Sequence, residues 1–132
     1  MLREATSDDK DLLEQILNHE RYRENIGGPF DIDEIMAKSV IFLWKSHGVF
    51  LFEPRTPKFW RMSVVFLPKS KDAYEAEPYL RDELKKRGVK GVMGIHKLSN
   101  RASTLGVRKF GGHKLFIANG NYHWGLMLWS NQ

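Results

Sequence analysis

Four segments of the chain carry apolar residues at the three- and four-residue spacing of an amphipathic helix, and short apolar runs typical of strands lie between them. The predicted helices begin after Ser7-Asp8-Asp9, begin after Asp31, and span Asp72–Arg87 and Arg101–Phe110. The predicted strands are Leu2–Thr6, Val40–Trp44, Val49–Phe52, Phe59–Leu67, Val89–Leu98, Lys114–Ala118 and Tyr122–Trp129. The order β-α-α-β-β-β-α-β-α-β-β predicts an α/β (mixed α+β) fold, with a mixed central sheet of about seven strands flanked by about four helices.

Capping and turn residues support these boundaries. Ser7-Asp8-Asp9 supplies an N-cap and negative charge for the first helix, and Asp31 is the predicted cap of the second. Pro78 lies inside the third helical segment, which predicts a kink or a late helix start near Glu77. Asn119-Gly120-Asn121 between the last two strands predicts a tight hairpin.

The length of 132 residues and the hydrophobic content of 42% predict a single domain, spanning residues 1–132, with a core of its own. The chain has no cysteine, which excludes disulfides and thiolate metal sites. No apolar run approaches the ~20 residues of a membrane span, and the N-terminus lacks the apolar core of a signal peptide. We therefore expect no membrane association and a cytoplasmic location, or a place inside a particle.

Charge is distributed unevenly around a formal net charge of +5. The first third of the chain is acidic, whereas the stretch from Lys69 to Lys114 is rich in Lys and Arg. A basic half attracts polyanions, which include nucleic acid, a phosphorylated cofactor and an acidic protein. The alternative is that these cations only form solvated helix faces.

The segment from Leu98 to Gly112, LSNRASTLGVRKFGG, combines a strand exit, an Asn, a short basic helix and a Gly-Gly stop. It follows the apolar run Gly91–Ile95 and so predicts a strand–helix–strand unit. This segment, the opening LREATSDDKDLLEQIL and the strand RMSVVFLP before a helix together resemble the GNAT superfamily of acyl-CoA N-acyltransferases. The resemblance covers essentially the whole chain and is greatest to the divergent type encoded by tailed phages.

The resemblance implies a GNAT-like fold that uses acetyl-CoA. In that family a splay between the fourth and fifth strands admits the pantetheine arm, and main-chain N–H groups at the following turn bind the pyrophosphate. By this resemblance the cofactor-binding residues are Phe66, Leu67, Pro68, Lys69, Ser70, Lys71 and Asn100. The first three would offer main chain to pantetheine, the next three would hold the phosphates, and the Asn would bind near the thiol.

Three features depart from the family's pattern. Asp72 stands where a glycine of the pyrophosphate turn is expected, and a carboxylate there suits a phosphate only if it caps the helix. Val107 stands seven residues after Asn100, where the family often has a Tyr that acts as general acid. The strand residues Trp60–Leu67 include no carboxylate that could act as a base.

His96 and Tyr122 are the candidates to supply the missing acid–base chemistry, with Glu53 and His123 as further substitutes nearby. His96 alternates with Val92 and Gly94 along its strand, and this spacing predicts that it faces the cleft. The alternative is a histidine with a structural role only. The spacing of the histidines fits no ligand motif, so we expect no metal.

Two functions compete on this evidence of resemblance. The first is an acetyl-CoA-dependent N-acetyltransferase whose partners are coenzyme A and an amine of a small molecule or a protein. The second is a phage-encoded GNAT-like protein that has lost catalysis and serves as a virion, assembly or binding component. Direct nucleic-acid binding is a third alternative, which we do not expect because the chain has no recognised module for it. Outward-facing aromatic residues leave a homo-oligomer open.

Overall fold

Seven strands form one mixed sheet in the computed structural model, which describes residues 1–19, 29–67 and 72–128. The strands are β1 (Leu2–Glu4), β2 (Val40–Trp44), β3 (Gly48–Pro54), β4 (Phe59–Phe66), β5 (Gly91–Lys97), β6 (His113–Ala118) and β7 (Asn121–Met127). The α-helices of these residues are α1 (Lys10–Leu17), α2 (Ile32–Lys38), α3 (Glu77–Lys86) and α4 (Arg101–Lys109). The predicted α/β class and the predicted element order are confirmed.

The strands lie in the order β1-β2-β3-β4-β5-β7-β6. Every neighbouring pair is antiparallel except β4 and β5, which are parallel. Because parallel neighbours need a crossover connection, α3 carries the chain from the end of β4 back to the start of β5. The parallel junction therefore lies at the centre of the sheet, with four strands on its N-terminal side and three on its C-terminal side.

Different helices cover the two faces of the sheet. On one face α1 packs against β3 and β4 and buries Leu13 and Ile16 beside Val49 and Val65. The opposite face is covered by α3, whose Leu80 and Leu84 are buried. The second face holds most of the aromatic core, comprising Phe42, Trp44, Phe50, Phe52, Trp60, Tyr122 and Trp124. Burial of large apolar side chains on both faces explains why the chain folds without disulfides.

The first helix begins at the predicted Ser7-Asp8-Asp9 segment, where a side-chain network surrounds Asp9. Thr6 is the N-cap of a 3₁₀ turn formed by Ser7–Asp9, and the Thr6 side chain accepts from the Asp8 N–H at 3.4 Å. Asp9 accepts the Thr6 N–H at 2.8 Å and both guanidinium donors of Arg3, at 2.8 and 2.6 Å. Asp9, the last residue of the predicted capping segment, is the N-cap of α1, but its side chain pairs with Thr6 in the capping box of the 3₁₀ turn and makes no capping hydrogen bond to α1.

The other local predictions agree with the structure. Asp31 accepts the Glu34 N–H at 3.3 Å and caps α2. Ala73–Ala76 forms a 3₁₀ turn and α3 starts at Glu77 with Pro78 in its first turn, as a late start predicts. Asn119 and Gly120 have φ of 52° and 76°, the conformation that a tight hairpin between β6 and β7 requires.

None of the helices in the described part of the chain is both long and apolar enough to cross a membrane.

Candidate functional site

The parallel strands β4 and β5 pair over only three residues and then separate. The pairs are Phe59–Gly91, Trp60–Val92 and Arg61–Met93, and beyond them β4 continues to Phe66 and β5 to Lys97. Ser63 and Val64 are exposed although they lie in the fourth of seven strands. The separation therefore opens a cleft in the middle of the sheet.

The orientation of the β4 main chain determines which groups line this cleft. Leu67 N–H donates to the His47 carbonyl at 2.8 Å, so the odd-numbered residues of β4 direct their main-chain groups toward β3. Consecutive residues of a strand direct these groups to opposite sides. The N–H and C=O groups of Met62, Val64 and Phe66 therefore point into the cleft. An extended ligand that carries amides can pair with them as a strand would.

Helix α4 stands over the β5 side of the cleft. Asn100 is its N-cap and accepts the Ser103 N–H at 3.2 Å. Val107, at the position where the family often has a Tyr, is buried, with 8% of its surface exposed. It packs so closely on Gly112 that a Cβ at Gly112 would lie 2.6 Å from it. Val107 has no proton to donate, so it cannot act as the general acid.

His96 and Tyr122 are brought together on the α4 side of the sheet. Their rings stack with centroids 5.0 Å apart, and His96 Nε2 lies 2.8 Å from the Thr104 hydroxyl. Burial lowers the pKa of His96 below its usual value, so its imidazole is neutral at pH 7. Tyr122 is only 4% exposed, so it packs against the His96 ring and is not accessible to a ligand. His96 is thus positioned by a residue, Thr104, that the sequence did not single out.

Three side chains, one at the end of β2 and two in the β2–β3 connection, hold Asp72. The carboxylate accepts from Trp44 Nε1 at 3.0 Å and Lys45 Nζ at 2.8 Å, and it lies 2.7 Å from His47 Nε2. Its hydrogen bond with Lys45, above all, lowers the pKa of Asp72 far below its usual value. The Asp72 side chain makes no capping hydrogen bond to the following turn. The helix-capping role considered for it is therefore replaced by an ion-pair cluster that balances its charge.

A second contact that the sequence did not indicate connects the turn before α3 to α4. The Tyr74 ring lies 4.8 Å from the Phe110 ring, with Lys109 Nζ 3.9 Å above its centroid. Together with Glu77 these residues line an open polar cavity of about 230 Å³. The residues come from positions more than thirty apart, so no local pattern could predict their contact.

The structure locates only part of the predicted cofactor site. Phe66 ends β4, where its ring packs on Phe50 with centroids 5.5 Å apart. The Leu67 amide is directed at β3, away from the cleft. Pro68, Lys69, Ser70 and Lys71 lie outside the described residues. Among the residues that are described, no three of His, Asp or Glu are grouped to hold a metal ion.

Comparison with solved structures assigns this architecture. An acetyltransferase of the GNAT family from Bacillus anthracis superposes with a TM-score of 0.73 at 14% identity, covering 96% of this chain and 93% of that one. The ribosomal-protein-S18-alanine N-acetyltransferase of Escherichia coli gives 0.74 at 12% identity, covering 100% and 96%.

The chain has the GNAT fold.

The spermidine N-acetyltransferase of Vibrio cholerae, solved in complex with CoA and spermine, also matches, with a TM-score of 0.72 at 10% identity over 97% of this chain and 95% of that one. At such identities the GNAT likeness concerns the fold alone. No protein-family model matches the sequence, and no curated protein matches it.

Proposed function

We propose that this chain binds acetyl-CoA in the cleft between β4 and β5 and transfers the acetyl group to an amine. The single observation that carries the proposal is the β4–β5 junction, which ends after Arg61 and Met93. It leaves the main-chain groups of Met62, Val64 and Phe66 directed at an open cleft. Pantetheine contains two amides in an extended chain, and amides of this kind can complete the ladder of β4.

The remaining cofactor contacts are assigned by the same proposal. The phosphates would be bound by Lys69, Ser70 and Lys71, since these residues connect β4 to the helical segment that follows it. Asn100 would contact the thiol end at the start of α4. Because Asp72 is already paired with Lys45, its carboxylate offers less repulsion to a nearby phosphate than a free carboxylate would.

The proposed reaction forms a C–N bond and breaks a C–S bond. The amine nitrogen attacks the thioester carbonyl and loses one proton, and the CoA thiolate leaves and takes one proton. His96 is neutral and fixed by Thr104, so it can accept the amine proton directly or through one water. Spermine and a ribosomal-protein alanine are amines named for the structural neighbours, and the proposed acceptor is likewise an amine of a small molecule or a protein.

The experiment that tests cofactor binding uses proline as a main-chain probe. Val64→Pro removes an N–H that points into the cleft and spares the β3–β4 ladder, whereas Val64→Ala retains the N–H. Wild type and Val64→Ala should gain about 2.7 kcal/mol of stability at acetyl-CoA concentrations a hundred times the dissociation constant. Val64→Pro should fold, by circular dichroism, but lose most of this gain. No thermal shift of the wild type at millimolar acetyl-CoA contradicts the proposal.

A second candidate function has its own support. The buried Val107 and the absence of a carboxylate from β4 favour a GNAT-fold protein without catalysis, acting as a phage virion, assembly or binding component. Thiol release from acetyl-CoA, measured with a panel of polyamines, amino acids and peptides, separates the two candidates. Binding without thiol release for any amine favours the second candidate. Thiol release that His96→Gln abolishes favours the transferase.

A further inference from the structure

The open polar cavity between the start of α3 and the end of α4, which we call the outer cavity, borders the proposed cofactor cleft. Its lining residues are Tyr74, Glu77, Lys109 and Phe110, and its volume is about 230 Å³. A smaller apolar cavity of about 30 Å³ adjoins it, because Glu77 and Phe110 line both. The smaller cavity extends to Met62, whose main-chain groups point into the cleft. The outer cavity is therefore connected to the wall of the cleft.

Hydrogen bonds at the two ends of the β4–α3 connection place the outer cavity near the end of β4. The Leu67 N–H donates to the His47 carbonyl at 2.8 Å. The imidazole of the same His47 lies 2.7 Å from Asp72, two residues before Tyr74. A ligand that runs along β4 and leaves the cleft at the end of this strand therefore emerges beside the outer cavity.

Lys109 is the cation that the outer cavity offers to a ligand. Its Nζ lies 3.9 Å from the centroid of the Tyr74 ring, and within the described part of the chain no carboxylate pairs with it. A cation–π contact engages one side of an ammonium group, so the remaining N–H donors can bind an anion. The Glu77 carboxylate is already paired, because it accepts from Arg81 Nε at 2.6 Å. The outer cavity therefore presents one positive charge that is held in place.

We propose that Lys109 is a specificity-determining residue that binds the 3′-phosphate of CoA in the outer cavity. Because this role requires the pantetheine arm in the cleft, it rests on the proposed function. CoA carries its 3′-phosphate on the ribose, beyond the pyrophosphate, so this phosphate lies outside the cleft and needs a cation of its own. Tyr74 is then a positioning residue, since its ring holds the ammonium group. The Tyr74 hydroxyl reaches α4 at Gly106, where a Cβ would lie 3.6 Å from it.

Other ligands suit the outer cavity less well. The Tyr74 and Phe110 rings pack on each other with centroids 4.8 Å apart, so a nucleobase cannot lie between them. An amine acceptor would meet the Lys109 ammonium group, and like charges repel. A phosphate is anionic and accepts several hydrogen bonds, which matches an ammonium group with available donors.

CoA and 3′-dephospho-CoA, which differ only in the 3′-phosphate, are the two probes of this role. Isothermal titration calorimetry with the whole chain, at one salt concentration, gives the dissociation constant of each. We expect the wild type to bind CoA at least about ten-fold more tightly, as one hydrogen bond between charged groups predicts. Lys109→Gln should weaken the binding of CoA alone and bring the two constants within about two-fold of each other. Lys109→Arg should restore most of the preference for CoA.

The matched control is Arg108→Gln, which removes the same charge from the neighbouring position of α4. Arg108 is exposed and does not line the outer cavity, so its variant should keep the wild-type preference for CoA. Tyr74→Phe retains the ring and should keep this preference as well. Tyr74→Leu removes the ring and should lower the preference without changing the dissociation constant of 3′-dephospho-CoA.

The outcomes separate this role of Lys109 from the proposed function. Equal binding of both probes by the wild type, or a wild-type preference in Lys109→Gln, overturns the role and leaves the proposed function intact. An equal loss of both probes in Lys109→Gln assigns the side chain a structural role only and also overturns it. Tighter binding of adenosine 3′,5′-bisphosphate than of CoA assigns the outer cavity to a free nucleotide, with the same consequence. Binding of neither CoA nor acetyl-CoA contradicts the proposed function itself, and the role of Lys109 falls with it.

Discussion

The Asp72 carboxylate lies 2.7 Å from Nε2 of His47, and this contact fastens the segment after β4 to the turn between β2 and β3. Lys45 and Trp44 donate to the same carboxylate. A carboxylate at a position where a phosphate-binding turn usually has glycine is thereby neutralised from within the protein. The cluster fixes the chain at Asp72, directly before the 3₁₀ turn Ala73–Ala76.

Asp72→Asn should lower the melting temperature at pH 7 by a few degrees, because the amide cannot serve three donors as a carboxylate does. The pKa of Asp72 is lower in the folded chain than in the unfolded chain, where it is about 4. The stabilisation by the Asp72 carboxylate is therefore present above about pH 4 and is lost as pH falls through the pKa of the folded state. The difference between wild type and variant should therefore shrink only in strong acid. Glu75→Gln, an exposed neighbour, is the control for removal of one charge. Equal melting temperatures for Asp72→Asn and wild type at pH 7 count against an anchoring role.

Asp9→Asn should lower the free energy of unfolding by about 1–2 kcal/mol. This figure is smaller than the pKa shift alone would give, because Arg3 is half exposed and solvent screens its charge. The Arg3 guanidinium lowers the pKa of Asp9 to about 2, so the stabilisation is present above about pH 4 and disappears as pH falls through 2. Urea unfolding at pH 7 and at pH 2.5 measures the difference. Asp8→Asn removes a neighbouring exposed carboxylate and should change little. A constant difference between Asp9→Asn and wild type at both pH values contradicts the assignment.

Gly94→Ala should destabilise the fold by about 1–3 kcal/mol. A methyl group at Gly94 would overlap the indole of Trp124, which lies across β5 on the α4 side. At Gly125 the nearest side-chain atom is 3.4 Å from such a methyl, so Gly125→Ala is the milder, matched substitution in the paired strand. Thermal or urea unfolding of the two variants gives the comparison. The prediction fails if Gly125→Ala is the more damaging of the two.

The proposed transfer reaction should have an acid limb below pH 6.5. Burial lowers the pKa of His96, so the neutral base persists to lower pH than a free imidazole would, and kcat/KM should rise through that lowered value. His96→Gln should abolish this limb and lower kcat. Thr104→Val, which removes the hydroxyl 2.8 Å from Nε2, should shift the limb with a smaller loss of rate. A pH profile unaltered in His96→Gln assigns the base elsewhere.

The sequence was sufficient for the fold because the main signals are local. Apolar periodicity placed α1 and β4, Asn100 marked the start of α4, and Pro78 marked the start of α3. The segment Ser7-Asp8-Asp9 marked the start of α1, whose N-cap is Asp9. The capping box between Thr6 and Asp9, and the ion pair of Asp9 with Arg3, were not indicated by the sequence pattern.

The side-chain contacts of the site could not be predicted from the sequence, because they join residues that are distant along the chain. Asp72 meets Lys45 across 27 residues, and His96 meets Thr104 through a turn and a helix start. The exposed aromatic Phe116 depends on a bulge that only the pairing of β6 with β7 defines. Strand alternation predicts that His96 lies on the same face of β5 as Val92 and Gly94; its contact with Thr104 of α4 needs the fold as well.

The three-residue junction between β4 and β5 also has a mechanical consequence. It is the one strand pairing, within the part of the chain that is described, that joins β1–β4 to β5–β7. Two half-sheets joined by only three residue pairs can change their relative angle more easily than half-sheets whose edge strands pair along their full length. A ligand lodged between Met62–Phe66 and Gly94–Lys97 would act as an inserted strand and stiffen the whole sheet. Amide hydrogen exchange should then be slower with ligand than without it in both half-sheets, including residues far from the ligand.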